Sequence, residues 1–214
     1  MADTTILGTN LSFSDVLATA DGFSVVSRFG IKVPPAFSRT PNPSHLGISV
    51  LLPTCDQAAA ESGKGYFDGL LLLSLAYQET LPKFNPRSSV ASTPDKVARG
   101  MGQFLYTTGK REVKPPIVDF YNPAESIFAM AYYLRVCYDS AKKQAPTLPP
   151  SMLLGYACMH YNGGPATKLE THEAGKYNIV GGRKTRTTTK HYAQKINYWY
   201  SKFAGTPNGP MTFK

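Results

Sequence analysis

The sequence predicts a mainly α-helical domain, and three observations carry the prediction. The run Leu70-Leu71-Leu72-Leu73-Ser74-Leu75-Ala76 is apolar all round, which marks a central, buried helix rather than a surface one. Asn122-Pro123-Ala124-Glu125 is a helix start, with Asn as cap, Pro in the first turn and Glu two residues later. Strand signals, meaning alternating β-branched stretches between turn residues, are few. Composition agrees. Hydrophobic residues make up 42% and charged residues 17%, so the chain can fill a core, and 214 residues suit one domain with a small appendage.

Taken in order, residues 1–60 read as an N-terminal extension, either packed on the main domain or serving as a docking segment for a partner. Phe13–Phe29 suits an amphipathic helix. Val33-Pro34-Pro35 and Pro41-Asn42-Pro43 are extended or turned, and the apolar run His45–Pro53 is either a strand or a helix start. The main domain spans residues 61–204. Gly65–Gln78 is its central helix, and Pro82 stops it near Glu79 or Thr80. Thr93-Pro94-Asp95 starts a short helix. Gly100 and Gly102 break regularity before Gln103, and Pro115-Pro116 marks a loop. The helix begun at Asn122 runs to about Lys143, with Ile127, Met130, Ala131, Leu134 and Tyr138 on one face. Ser151 caps the next helix, which ends at Asn162-Gly163-Gly164-Pro165. Gly181-Gly182-Arg183-Lys184-Thr185-Arg186 is a basic, glycine-rich turn, and Thr187–Phe203 is the last helix. Residues 205–214 read as a mobile tail.

The net charge of +9 points to a polyanionic partner, which could be nucleic acid, anionic lipid or an acidic cell wall. Cys55, Cys137 and Cys158 are an odd number without a CxxC pair, so a disulfide framework is not expected and buried thiols are. Met1–Asn10 lacks the features of a secretory signal. The longest apolar run is far short of the roughly 20 residues that span a bilayer, so no stable membrane insertion is expected. His45, His160, His172 and His191 form no HExxH-type pair, and neither metal nor cofactor is expected.

The chemistry gathers around Glu79. A carboxyl at the end of a buried helix, followed by a glycine-containing loop, is set up for a raised pKa and for proton donation near neutral pH. After Glu79-Thr80 come Phe84-Asn85-Pro86, Gly100-Met101-Gly102-Gln103, the capped helix bearing Tyr133-Leu134-Arg135, the turn Tyr161-Asn162-Gly163-Gly164-Pro165, and Thr189–Tyr192 on the final helix. This order resembles the lytic transglycosylases of the soluble type, relatives of goose-type lysozyme, over residues 60–203. The family has Glu-Ser, a Gly-Leu-Met-Gln-like segment, Asn-Ala-Gly-Pro after a Tyr, and a Tyr on the last helix. Thr80 stands for the usual Ser, Met101-Gly102 for Leu-Met and Ser126 for a common Asn, while Leu81-Pro82-Lys83 is inserted. These departures bear on substrate range more than on the reaction.

The resemblance implies a lysozyme-like fold and cleavage of peptidoglycan glycan strands. Glu79 would protonate the oxygen between N-acetylmuramic acid and N-acetylglucosamine, then deprotonate the muramic 6-hydroxyl as an anhydro ring closes. Thr80, Met101, Gln103, Tyr133, Tyr161, Asn162 and Tyr192 would contact substrate. Gln103 is otherwise a turn cap, Tyr192 a core residue and Thr80 a terminal-turn hydroxyl. Ordinary glycosidases use two carboxylates. Here Asp95, Asp119 and Glu125 read as cap or loop residues, which favours the transglycosylase over a lysozyme-type muramidase. Small transglycosylases without a secretory signal are similar to phage virion-associated murein hydrolases and to some endolysins. The expected setting is therefore synthesis in the cytoplasm, association with a virion through residues 1–60, and action on the host wall in the periplasm. A peptidase, a nucleic-acid-binding protein using Arg183, Lys184, Arg186 and Lys190, and a structural virion protein without activity are the alternatives. Nucleic acid is disfavoured because no known binding motif accompanies the basic run.

Overall fold

The computed structural model describes residues 25–26, 32–33, 44–80, 97–174, 176–180, 183–187 and 189–213, and these are mainly helical. In chain order they form β1 (Val25–Val26), β2 (Lys32–Val33), α1 (Ser44–Ser62), α2 (Gly69–Thr80), a π-helical turn (Thr108–Glu112), α3 (Pro123–Gln144), α4 (Pro150–Gly163), α5 (Leu169–Ala174), β3 (Lys176–Val180), β4 (Arg183–Thr187) and α6 (Thr189–Ala204).

The apolar run does form the central helix. Leu71, Leu72, Leu73, Leu75 and Ala76 of α2 are fully buried, because α1, α3 and α6 all pack against it. It starts at Gly69 and not at the expected Gly65. Lys64 and Gly65 adopt left-handed φ angles of 52° and 73°, and the Asp68 carboxylate caps the helix by accepting from the Leu71 N–H at 2.9 Å. Gly69 lets α1 come close, since a Cβ there would sit 2.6 Å from the Asp56 Cα.

Helix α1 runs across the boundary expected at residue 60 and packs on the main domain. The His45–Pro53 run is helical, and Leu51, Cys55 and Ala58, at i, i+4 and i+7, are completely buried against α2 and α3. The common core therefore includes this helix. Val25 and Val26 pair antiparallel with Val33 and Lys32, so the helix expected over Phe13–Phe29 does not include them; β-branched valines suit the ladder better. The rest of that helix, the two Pro-rich pairs, Phe84-Asn85-Pro86 and Thr93-Pro94-Asp95 lie outside the described residues.

Helix α3 begins as its sequence reads, with Asn122 Oδ1 accepting from the N–H groups of Ala124 at 3.0 Å and Glu125 at 3.3 Å. Helix α4 begins at Pro150, and the Ser151 hydroxyl pairs with that of Thr212 at 2.9 Å instead of capping. The segment after α6, expected as a mobile tail, is docked. Met211 is buried, its N–H donates to Asn197 Oδ1 at 2.9 Å, and Phe213 packs on the core. Two apolar side chains outweigh the Gly and Pro content that made it look loose. Strands β3 and β4 pair antiparallel, with Lys176 opposite Thr187 and Val180 opposite Arg183, while the expected turn at Gly181-Gly182 lies outside the described residues. All three cysteines are free and buried. Among the described residues no helix is long and apolar enough to cross a membrane.

Candidate active site

Helix α2 ends at the wall of a groove of about 830 Å³. Glu79 lines it, together with residues of the 98–112 loop, Tyr133 of α3, and the 161–167 turn after α4. Glu79 is in the last turn of an otherwise apolar helix. Burial raises its carboxyl to about 7, against the opposing effect of a hydrogen bond from Tyr192. The Tyr192 hydroxyl, on α6, donates to Glu79 Oε1, and burial pushes that phenol well above its ordinary range. Near neutral pH the Glu79 carboxyl is therefore divided between an acid that can donate and a base that can accept.

The loop opposite is held by a short bridge. The N–H of Arg99 donates to the Phe104 carbonyl, and that of Phe104 to the Arg99 carbonyl, both at 3.0 Å. Gly102 sits at its tip, where a Cβ would fall 2.6 Å from Met130 Cγ and 2.8 Å from the Tyr161 hydroxyl. No larger residue fits there. The Gly102 N–H donates to the Ser126 hydroxyl at 3.0 Å, and Tyr161 donates to the Gly102 carbonyl at 3.0 Å. Ser126 thus fastens the loop to α3, and Phe104, Tyr133 and Tyr161 fill the space beside Gly102 with edge-on and tilted rings.

The residues expected at the site divide into three groups. Glu79, Gln103, Tyr133, Tyr161 and Asn162 line the groove together. Gln103, in the left-handed region at φ 47°, also caps the turn by donating from Nε2 to the Gly100 carbonyl at 2.9 Å. Tyr192 stands beside Glu79 as its hydrogen-bond donor and is not among the groove-lining residues. Thr80 and Met101 do not face the groove, which corrects their expected contact with substrate. Thr80 is buried and its hydroxyl donates back to the Ala76 carbonyl at 2.6 Å, closing the helix end. Met101 is fully buried in the core.

Sequence reading missed a second carboxylate. Glu112 lines the same groove as Glu79, while Glu125, one of the acids weighed before, accepts from the N–H groups of Val118 and Asp119 at 2.8 and 3.2 Å and pins their loop. Nothing in Thr108-Gly109-Lys110-Arg111-Glu112 distinguishes it from a solvated charged loop. Also unforeseen is a buried pair behind the 161–164 turn, with His172 Nε2 3.0 Å from His160 Nδ1 and His172 Nδ1 2.7 Å from the Thr189 hydroxyl. Among the described residues no group of three or more His, Cys, Asp or Glu could hold a metal ion. Compared with protein-family models, curated proteins and solved structures, the chain matches none.

Proposed function

We propose that this protein cleaves the glycan strands of peptidoglycan as a lytic transglycosylase, on a lysozyme-like helical domain of the soluble type. The observation that carries the reading is Glu79, whose carboxyl opens on the groove, is raised to about 7 by burial, and is held by Tyr192. A group at that value can act as acid and then as base in one turnover. Glu79 gives its proton to the glycosidic oxygen, the bond to the anomeric carbon breaks, and the substrate's acetamido group shares the developing charge. Glu79 then takes the proton of the muramic 6-hydroxyl as that oxygen closes the anhydro ring. Tyr133, Tyr161, Gln103 and Asn162 wall the sugar path. The motif order in the sequence supports the same assignment, and with it a setting in which a phage particle opens the wall locally. Docking to other virion proteins would fall to residues 1–60.

Digestion of purified peptidoglycan by the wild type and by Glu79→Gln tests the reading, with the fragments weighed by mass spectrometry. Anhydro-ended muropeptides from the wild type, lost at least a hundredfold in the variant, are expected because Gln keeps the shape but cannot donate a proton. Cleaved peptide crosslinks, or glycan cleavage that survives the substitution, would overturn it.

A further inference from the structure

Resting on that reading of the groove, we infer that Glu112 is a second catalytic carboxylate, one that directs water onto the anomeric carbon and diverts part of the cleavage from ring closure to hydrolysis. Glu112 reaches the groove through a widened helical turn. The Val113 N–H donates to the Thr108 carbonyl at 3.2 Å, five residues back. A turn of that width places Thr108 and Glu112 on one face, and both line the groove. The turn is held firmly. The Gly109 N–H donates to the Leu105 carbonyl at 3.0 Å, and the Ile117 N–H to the Gly109 carbonyl at 2.9 Å.

The side chain is left available for chemistry. Glu112 is exposed, and among the described residues no ion pair neutralises it. Its neighbour Lys110 is turned to other work, donating from Nζ to the Ile117 carbonyl at 2.6 Å and the Val118 carbonyl at 3.3 Å. Structural carboxylates in this protein have partners: Glu125 holds two backbone N–H groups and Asp68 a helix cap and the Tyr200 hydroxyl. Glu112 has the groove.

Its placement relative to Glu79 suits the role. Glu79 and Glu112 both line the groove that Tyr133 and Tyr161 also line, and these two rings meet edge-on with centroids 5.4 Å apart. Two carboxyls on one groove, one as acid toward the bridging oxygen and one as base toward water, are how a glycosidase runs a direct displacement by water. In that step Glu79 protonates the bridging oxygen and the bond from it to the anomeric carbon breaks. A water oxygen bonds to that carbon, and its proton passes to Glu112. One water is consumed, the leaving sugar departs as a neutral alcohol, and exchange with solvent returns Glu79 to its acid form and Glu112 to its base form.

The test is the ratio of reducing to anhydro ends in peptidoglycan digests by the wild type, Glu112→Gln and Glu79→Gln. The wild type is expected to give both ends, and Glu112→Gln to lower the reducing-to-anhydro ratio at least tenfold. A wild type that gives anhydro ends alone, an unchanged ratio in Glu112→Gln, or loss of both products together in that variant would overturn the role of Glu112. Each of those results leaves Glu79 as the acid, whereas glycan cleavage by Glu79→Gln would remove the underlying reading itself.

Discussion

At the scale of single residues, two opposing effects act on Glu79. Burial disfavours its charge, and the Tyr192 hydroxyl stabilises that charge by donating to it. The balance, about 7, fixes the expected pH profile: activity should fall on the alkaline side with an apparent pKa near that value, as the acid form is lost. Tyr192→Phe removes the donor and leaves the desolvation. The ionised form becomes less favourable, so the alkaline limb should move upward, by about one unit, with a lower kcat from a less well oriented carboxyl. A pH–rate profile of kcat/KM in the wild type and the variant checks this. An unmoved limb would mean that the phenol only packs. The same pair explains why Glu79 could be picked out from sequence. A carboxyl at the end of Leu70–Ala76 has no other means of staying ionised, whereas Glu112 has an ordinary loop for its context and acquires meaning only when the π-helical turn brings it to the groove.

At the scale of elements, the histidine pair ties the groove's far wall together. Thr189 donates to the His172 carbonyl at 3.2 Å, so its oxygen accepts from His172 Nδ1. His172 Nε2 is then a lone pair, and His160 Nδ1 donates to it. His160 Nε2 is left buried and unpartnered, an arrangement that holds only for two neutral rings. Burial and the facing ring lower His172 to about 4, and burial lowers His160. The unfolded chain binds these protons below its ordinary value of 6.5 while the native state refuses them. The stabilisation is therefore complete above that pH and lost as pH falls toward 4. Glu79 titrates in the opposite sense, since its native proton favours folding most at low pH. The loss is best measured by denaturant unfolding of Glu79→Gln between pH 7 and 4.5, where about 2–3 kcal/mol should disappear. His172→Gln in that background should flatten the slope, and an unchanged slope would assign the acid sensitivity elsewhere. These contacts join α4, α5 and α6, and they were illegible in the sequence because His160 and His172 sit on different helices with no shared spacing. The hairpin between α5 and α6 was closer to legible. Gly181-Gly182 reads as a turn after the apolar Ile179-Val180, but the charge of Arg183, Lys184 and Arg186 hides the strand that follows.

At the scale of the whole molecule, the sequence marked the centre better than the edges. Helix α2 announces itself by being apolar on every side, and α3 by its Asn-Pro cap, because those signals are local. Helix α1 and the docked tail depend on what lies across from them. Leu51 lies in a short apolar run, and Cys55, Ala58 and Ala59 are small apolar residues in a helix that contains Pro53, and their periodicity is weak until α2 and α3 supply the opposing surface. The tail is similar: Met211 and Phe213 stand among Gly, Pro and Asn and are fixed only by Asn197 and Ser151. This difference yields a direct test of where the helical domain begins. If α1 were a detachable docking arm, shortening Leu51 would leave the unfolding of the full chain unchanged. As a core residue with no exposed surface, Leu51→Ala should cost about 2–4 kcal/mol, the transfer of the lost atoms plus the cavity they leave, seen as a lower urea midpoint with an unchanged slope. The groove sits at the end of α2, which α1 presses against α3 and α6, so the same variant should lose glycan cleavage at temperatures the wild type tolerates. A midpoint within error of the wild type would return α1 to the role of an appendage and move the domain boundary back toward residue 61.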